Sequence, residues 1–254
     1  MQSSDPFFIP FTEKIAPQTG TAFTLMKNEV HPLCVLAAEE LQNHILTQTE
    51  WQHNFGLKDE QDGMVIGKMF GVLVVQTSAN EIGYLAAFSG KLAGSNQHQK
   101  FVPPVFDTLA EDGFLNKGMA ELTVIGDTIK KLEAAQQEND QEKIKALKSA
   151  RKSKSINLQN EIFEQYHFLN QAGEEKSLID LFIEAGYKNP PAGAGECAGP
   201  KLLQYAFQHQ MKPLAIAEFW WGLSPKSSQW KHKEFYPCCK EKCEPILKHM
   251  LEGI

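Results

Sequence analysis

The sequence predicts an α/β fold: a sheet covered by helices on both faces and interrupted by an inserted helical hairpin. Three observations predict it. Met69–Gln76 and Ile82–Gly90 are apolar runs rich in β-branched and aromatic residues, separated by the short polar break Thr77–Glu81; they read as a β-hairpin. Pro213–Gly222 is a third such run. Because successive positions are apolar, both faces of these strands must be covered. Finally, residues 119 to 170 turn to Glu, Lys, Gln and Ala, with apolar positions only at helical intervals.

In chain order, residues 1 to 30 read as an extended arm. His31–Leu46 places Leu33, Leu36, Ala37, Leu41 and Ile45 near helical spacing, and Pro32 suits the first turn. A polar, Gly-containing loop over 55 to 63 leads into the hairpin. Ser89 to Asp107 reads as a further loop. In the insert, Ile125, Ile129 and Leu132, then Ile144, Leu147 and Ala150, then Leu158, Ile162, Tyr166 and Leu169 recur at helical spacing. Asn139–Asp140 supplies the turn between two arms. The body is therefore expected from 1 to 118 and 171 to 254 as one discontinuous domain, with the hairpin at 119 to 170. It resumes at Pro190–Pro191 with a Gly-rich loop that enters an amphipathic stretch at Cys197. After the third strand, a second amphipathic stretch starts at Cys238–Cys239.

A chain of 254 residues can bury a substantial core. No apolar run approaches the roughly 20 residues of a membrane helix, and the first residues lack the basic region and apolar core of a signal peptide. Five cysteines without such a signal point to reduced thiols or metal ligands and to the cytoplasm. A net charge of −6, with Arg151 the only arginine, argues against a chain-wide nucleic-acid clamp. Two basic runs remain as candidate RNA contacts. One includes Lys148, Arg151 and Lys152; the other is Lys226, Lys231 and Lys233 around Trp230. A solvated helix face and a loop are the plainer readings of both.

Helix, two strands, then a helix start with one Cys, a strand, and a helix start with two Cys is the order of a cytidine-deaminase-like layered sandwich, whose metal site lies at those helix starts. Any further strands of that fold must come from elsewhere, such as the residues before His31. Cys197, Cys239 and Cys243 are the candidate metal ligands and zinc the candidate metal, because thiolates suit a borderline-soft ion. Cys239 and Cys243, at i and i+4, converge from one helical face; Cys238 is the substitute for Cys239 if the register differs. Buried, unliganded thiols are the alternative. Zinc deaminases carry their proton-transferring Glu two residues after the first ligand, and here that position is Gly199. Glu196 precedes Cys197 and Glu218 lies in the third strand; neither is expected where proton transfer takes place.

Three stretches together resemble a known family. They are His31–Gln42 with Thr49–Leu57; Gly67–Gln76 with Gly83–Asn96 and Phe101–Asp107; and Pro190–Ala198 with the segment through Phe235–Leu247. This resembles the long N-terminal extension of bacterial RluA-type RNA pseudouridine synthases. The resemblance implies an auxiliary domain of an RNA-modifying enzyme, which positions structured RNA (ribosomal RNA among the candidates) or a synthase catalytic domain. The nucleophilic Asp of that family lies in a His-Arg-Leu-Asp motif, and no Arg-Leu-Asp occurs here. No catalytic residue is therefore carried over, and the chain alone is not expected to isomerise uridine. The alternatives are a zinc-dependent deaminase-like enzyme acting on a nucleobase or related amine, and a protein-interaction module with structural cysteines.

Overall fold

In a computed structural model the chain is described except at residues 1–4, 14, 17–22, 26–28, 60–61, 111–112, 136–137 and 227–228. Much of the expected N-terminal arm therefore lies outside the described residues. Among the described residues the fold is mixed α/β, with a mixed sheet and six α-helices, and the chain forms two compact units. One unit is Met1–Val105 with His167–Ile254, and the other is Phe106–Tyr166.

In the first unit, α1 (Pro32–Thr47) begins with Pro32 in its first turn, and the His31 ring caps it by accepting from the Leu33 N–H at 3.2 Å. The hairpin forms as the sequence predicts. β3 (Lys68–Gln76) and β4 (Ile82–Phe88) pair antiparallel from Phe70↔Phe88 to Gln76↔Ile82. β7 (Lys212–Trp221) lies antiparallel against the other edge of β3. Short strands before α1 complete the sheet: β1 (Ile9–Pro10) pairs with β4, and β2 (Thr24–Leu25) runs parallel to β7. The path is β1-β4-β3-β7-β2, with β8 (Phe235–Tyr236) added antiparallel to β7.

The pleat sends alternate side chains to opposite faces. Phe70, Val72, Val74, Tyr84, Ala86, Phe88, Ala217, Phe219 and Trp221 join Cys34, Ala37, Ala38 and Leu41 of α1 in one core. The other face receives α5 (Ala198–Gln208). Gly71 makes that contact close: a Cβ there would lie 2.9 Å from the Ala198 Cβ and 3.0 Å from Leu202. α6 (Lys240–Met250) packs on α5 and on α4 (Leu178–Glu184), and β5 (His167–Leu169) pairs with β6 (Glu175–Ser177) as a separate ribbon.

The second unit is two long helices, α2 (Phe114–Ala135) and α3 (Gln141–Glu164), packed on each other. Ile129, Ile144 and Leu158 are buried as their spacing predicts, and so are Leu122 and Phe163. The expected helical run is too long at its end. α3 stops at Glu164, and Leu169, which fits the helical spacing, belongs to β5 in the body. Tertiary bonds decide this: Phe168 C=O accepts from the ring of His249 at 3.0 Å, and residues 167–169 pair with 175–177. The helices also begin earlier than position 119, at Phe114. Among the described residues, no helix is long and apolar enough to cross a membrane.

Candidate metal centre

Cys197 is the N-cap of α5 and Cys239 the N-cap of α6, both in extended backbone. Neither thiol caps its own helix, so both side chains are available to one another. The orphan N–H groups at the start of α5 are met from other elements instead. Ala198 N–H donates to Ser89 Oγ at 3.2 Å, and Gly199 N–H donates to Glu218 Oε1 at 2.9 Å. Cys243 lies one turn beyond Cys239, its N–H bonded to the Cys239 carbonyl at 3.2 Å. The three expected ligands converge: Sγ of Cys239 is 4.0 Å from Cys197 and 3.3 Å from Cys243, and all three sulfurs lie within 4.8 Å of one another. Zn–S bonds of about 2.3 Å place the sulfurs of a tetrahedral site about 4 Å apart. The donor set fits a zinc ion.

Burial grades across the triad, with Cys243 buried, Cys197 half-buried and Cys239 exposed. Its contacts with the Cys197 and Cys243 sulfurs hold the Cys239 thiol far below its usual range. The same contacts push the other two up, with burial adding to both. The arrangement thus favours a thiolate at Cys239. Cys34 is the contrast. It is fully buried in the α1 core, its thiol is pushed up to about 12 by burial, and it has the character of an inert core residue.

The loop before Cys197 is fixed by the end of the hairpin. Gly90 N–H donates to the Glu196 carbonyl at 2.9 Å. Lys201, one turn after Cys197 and buried, donates from Nζ to Phe88 C=O at 2.9 Å and to Gly90 C=O at 3.4 Å. Burial lowers its amine to about 8. Lys68 reaches Ser89 C=O at 3.4 Å from β3 and is lowered for the same reason.

Sequence reasoning set Glu218 aside, and the geometry brings it in. It is 4% exposed on β7, on the face that receives α5. Its carboxylate bonds the N–H of Gly199, and Cys238 is its other hydrogen-bond partner. Burial pushes Glu218 up to about 7, against the Gly199 and Cys238 bonds. Cys238 is thus turned toward Glu218 and stands outside the triad, so the register selects Cys239. The available signal was a pair: a missing side chain at Gly199 and an acidic residue inside an otherwise apolar strand.

The expected RNA contacts fall in both units. In the body, Trp230 stacks on Trp220 with centroids 5.6 Å apart and meets Tyr236 edge-on at 4.5 Å. One ring face is therefore already occupied. Lys226, Lys231 and Lys233 are exposed around it, with the Lys231 N–H donating to Tyr236 OH at 2.8 Å and the Lys233 ammonium 5.8 Å from the Trp221 ring centre. In the helical unit, Lys148, Arg151 and Lys152 line a groove of about 940 Å³ beside Met119, Ile129 and Ile156. Lys148 is paired there with Glu133 at 2.8 Å, and Lys154 with Glu121.

Compared with protein-family models, with curated proteins and with solved structures, the chain matches none.

Proposed function

We propose that this chain is a zinc-holding auxiliary domain of an RNA-modifying enzyme, with a cytidine-deaminase-like body that positions structured RNA or a pseudouridine synthase catalytic domain. The observation that carries the zinc reading is the convergence of Cys197, Cys239 and Cys243, from two helix starts that flank β7, within 4.8 Å. The deaminase-like reading is supported by the element order helix, hairpin, helix, strand, helix. The antiparallel β4-β3-β7 core, with a parallel strand next to β7, supports it too. Free thiols suit a reducing compartment, and the cytoplasm is the proposed location.

The RNA reading rests on the resemblance to the RluA-type extension and on the exposed lysines around Trp230. The half-buried Trp230 ring offers stacking, and Lys226, Lys231 and Lys233 offer phosphate contacts. The test is titration of a fluorescent structured ribosomal RNA fragment with zinc-loaded protein at 50 and 200 mM salt. Binding should weaken steeply with salt and weaken further in Lys231→Glu/Lys233→Glu, with no pseudouridine formed. Absence of binding at low salt would favour a protein-interaction module with structural cysteines. Pseudouridine formation by the chain alone would overturn the auxiliary role. A second reading, a zinc-dependent deaminase-like enzyme, is favoured by one observation: the buried Glu218 at the start of α5.

A further inference from the structure

Two places around the thiol triad decide whether its metal would be closed in or left open. A structural zinc needs a fourth protein ligand, whereas a reactive one keeps a free position. Cys238 and Glu218 are the nearby candidates, and they are committed elsewhere. They bond each other, and Glu218 also holds the Gly199 N–H at 2.9 Å. Neither belongs to the group of ligand atoms lying within 4.8 Å of one another. Among the described residues, three protein ligands therefore leave one position for a small molecule, next to the exposed Cys239.

The second place is Gly199, two residues after Cys197. A Cβ built there would lie 3.6 Å from Glu218 Oε1 and 3.4 Å from Cys238 Sγ. The Glu218 carboxylate thus lies in ordinary van der Waals reach of a side chain begun at 199, and it already holds the N–H of that residue. In zinc deaminases the position two after the first ligand carries the carboxylate that moves protons between water and the leaving amine. Here a carboxylate from the neighbouring strand is bonded to the backbone N–H of that position instead.

Resting on the zinc reading above, we propose that Glu218 is the proton-transfer carboxylate of a hydrolytic centre formed with Cys197, Cys239 and Cys243, acting on the amine-bearing carbon of a nucleobase. Cys197, Cys239 and Cys243 would hold the zinc, which would supply an activated water. In the step, that water would give a proton to Glu218 as its oxygen bonds to the carbon. Glu218 passes that proton to the amino nitrogen, the C–N bond breaks, and ammonia leaves; no oxidant or reductant is needed. An amine is a poor leaving group unless protonated, and a single carboxylate beside the water serves both transfers.

The experiment loads the full chain with Co(II) and separately with zinc. The thiolate-to-cobalt absorption reports the triad, azide reports the open position, and ammonia release from cytosine, adenine and guanine (free, as nucleosides and in RNA) reports chemistry. Wild type should show the thiolate band, respond to azide, and release ammonia from at least one base. Glu218→Gln should keep the band, bind azide about tenfold more tightly as a neighbouring negative charge is lost, and lose ammonia release by about 100-fold or more. Gly199→Glu/Glu218→Gln, which returns a carboxylate from the helix side, should recover part of it. No thiolate band at all would remove the zinc reading itself. A band that ignores azide, an azide affinity unchanged in Glu218→Gln, or no ammonia from any base would overturn this inference and leave the zinc reading standing.

Discussion

α5 and α3 are both regular helices, and they are built on opposite terms. Nine of the eleven residues of α5, Ala198–Ala206, are buried, including Lys201 and Gln204. α3 is more than twice as long and buries only Ile144, Leu158 and Phe163. The first two turns of α5 are buried throughout, and the Gly199 N–H is held by Glu218 beside the Cys197 N-cap. α3 holds itself to α2 by one stripe, and its charges face water. A site needs the first kind of support, because preorganised groups demand packed neighbours. The second kind supplies surface: it can offer charge to a polyanion without presenting any single atom with precision.

The sharpest way to break that contrast is at Cys243, the buried member of the triad. Zinc at a thousandfold excess over its Kd stabilises a folded protein by about 4 kcal/mol. Wild type should show that gain in urea unfolding, with one zinc bound per chain by metal analysis. Cys243→Ser should retain the fold in chelator, lose zinc affinity by about 100-fold or more, and lose the gain. If Cys243→Ser binds zinc as wild type does, the triad is not the metal site.

The next effect comes from Glu218 and needs no metal. Burial raises its folded pKa to about 7 from an ordinary value of 4.5. The folded state therefore binds this proton more tightly than the unfolded chain does. Its contribution to stability is fully present below about pH 4.5, falls as pH rises through the folded pKa, and is gone above about 7. The span corresponds to about 3 kcal/mol. In chelator, the stability of wild type relative to Glu218→Gln should fall by that order between pH 4.5 and 8. Urea midpoints at the two pH values measure it; parallel behaviour of the two proteins would show a carboxylate far better solvated than its burial implies.

The contrast also explains what the sequence disclosed. α1, the β3–β4 hairpin, β7 and the two Cys-bearing helix starts carry long patterns, so periodicity and caps located them. β1 and β2 have two residues each and no period to detect. Leu169 matches the helical spacing, yet Phe168 and His249 decide its fate across 81 positions of chain. Glu218 was misjudged for a related reason. Its partner Gly199 is 19 residues away on another layer, and a glycine gives no sign of what fills the space beside it. The ligands were legible because helix starts announce themselves; the carboxylate was not, because only the packing of β7 on α5 places it.

The smallest effect belongs to α3, and its smallness is the point. Lys148 and Glu133 are 2.8 Å apart, but their side chains are 58% and 47% exposed. Water screens such a pair, and holding two long side chains together costs rotamer freedom. Lys148→Ala should therefore change stability by no more than about 0.5 kcal/mol, while Arg151→Ala and Lys152→Ala, on the same groove, should do as little. Salt-dependent RNA binding supplies the discriminating measurement. If the groove contacts phosphate, each removed charge should lower the slope of log K against log salt by about 0.7 to 0.9, with stability hardly touched. Unchanged slopes in all three variants would confine RNA contact to the loop around Trp230. A loss of several kcal/mol from Lys148→Ala would instead show α3 to be supported as α5 is, by specific neighbours rather than by a solvated face.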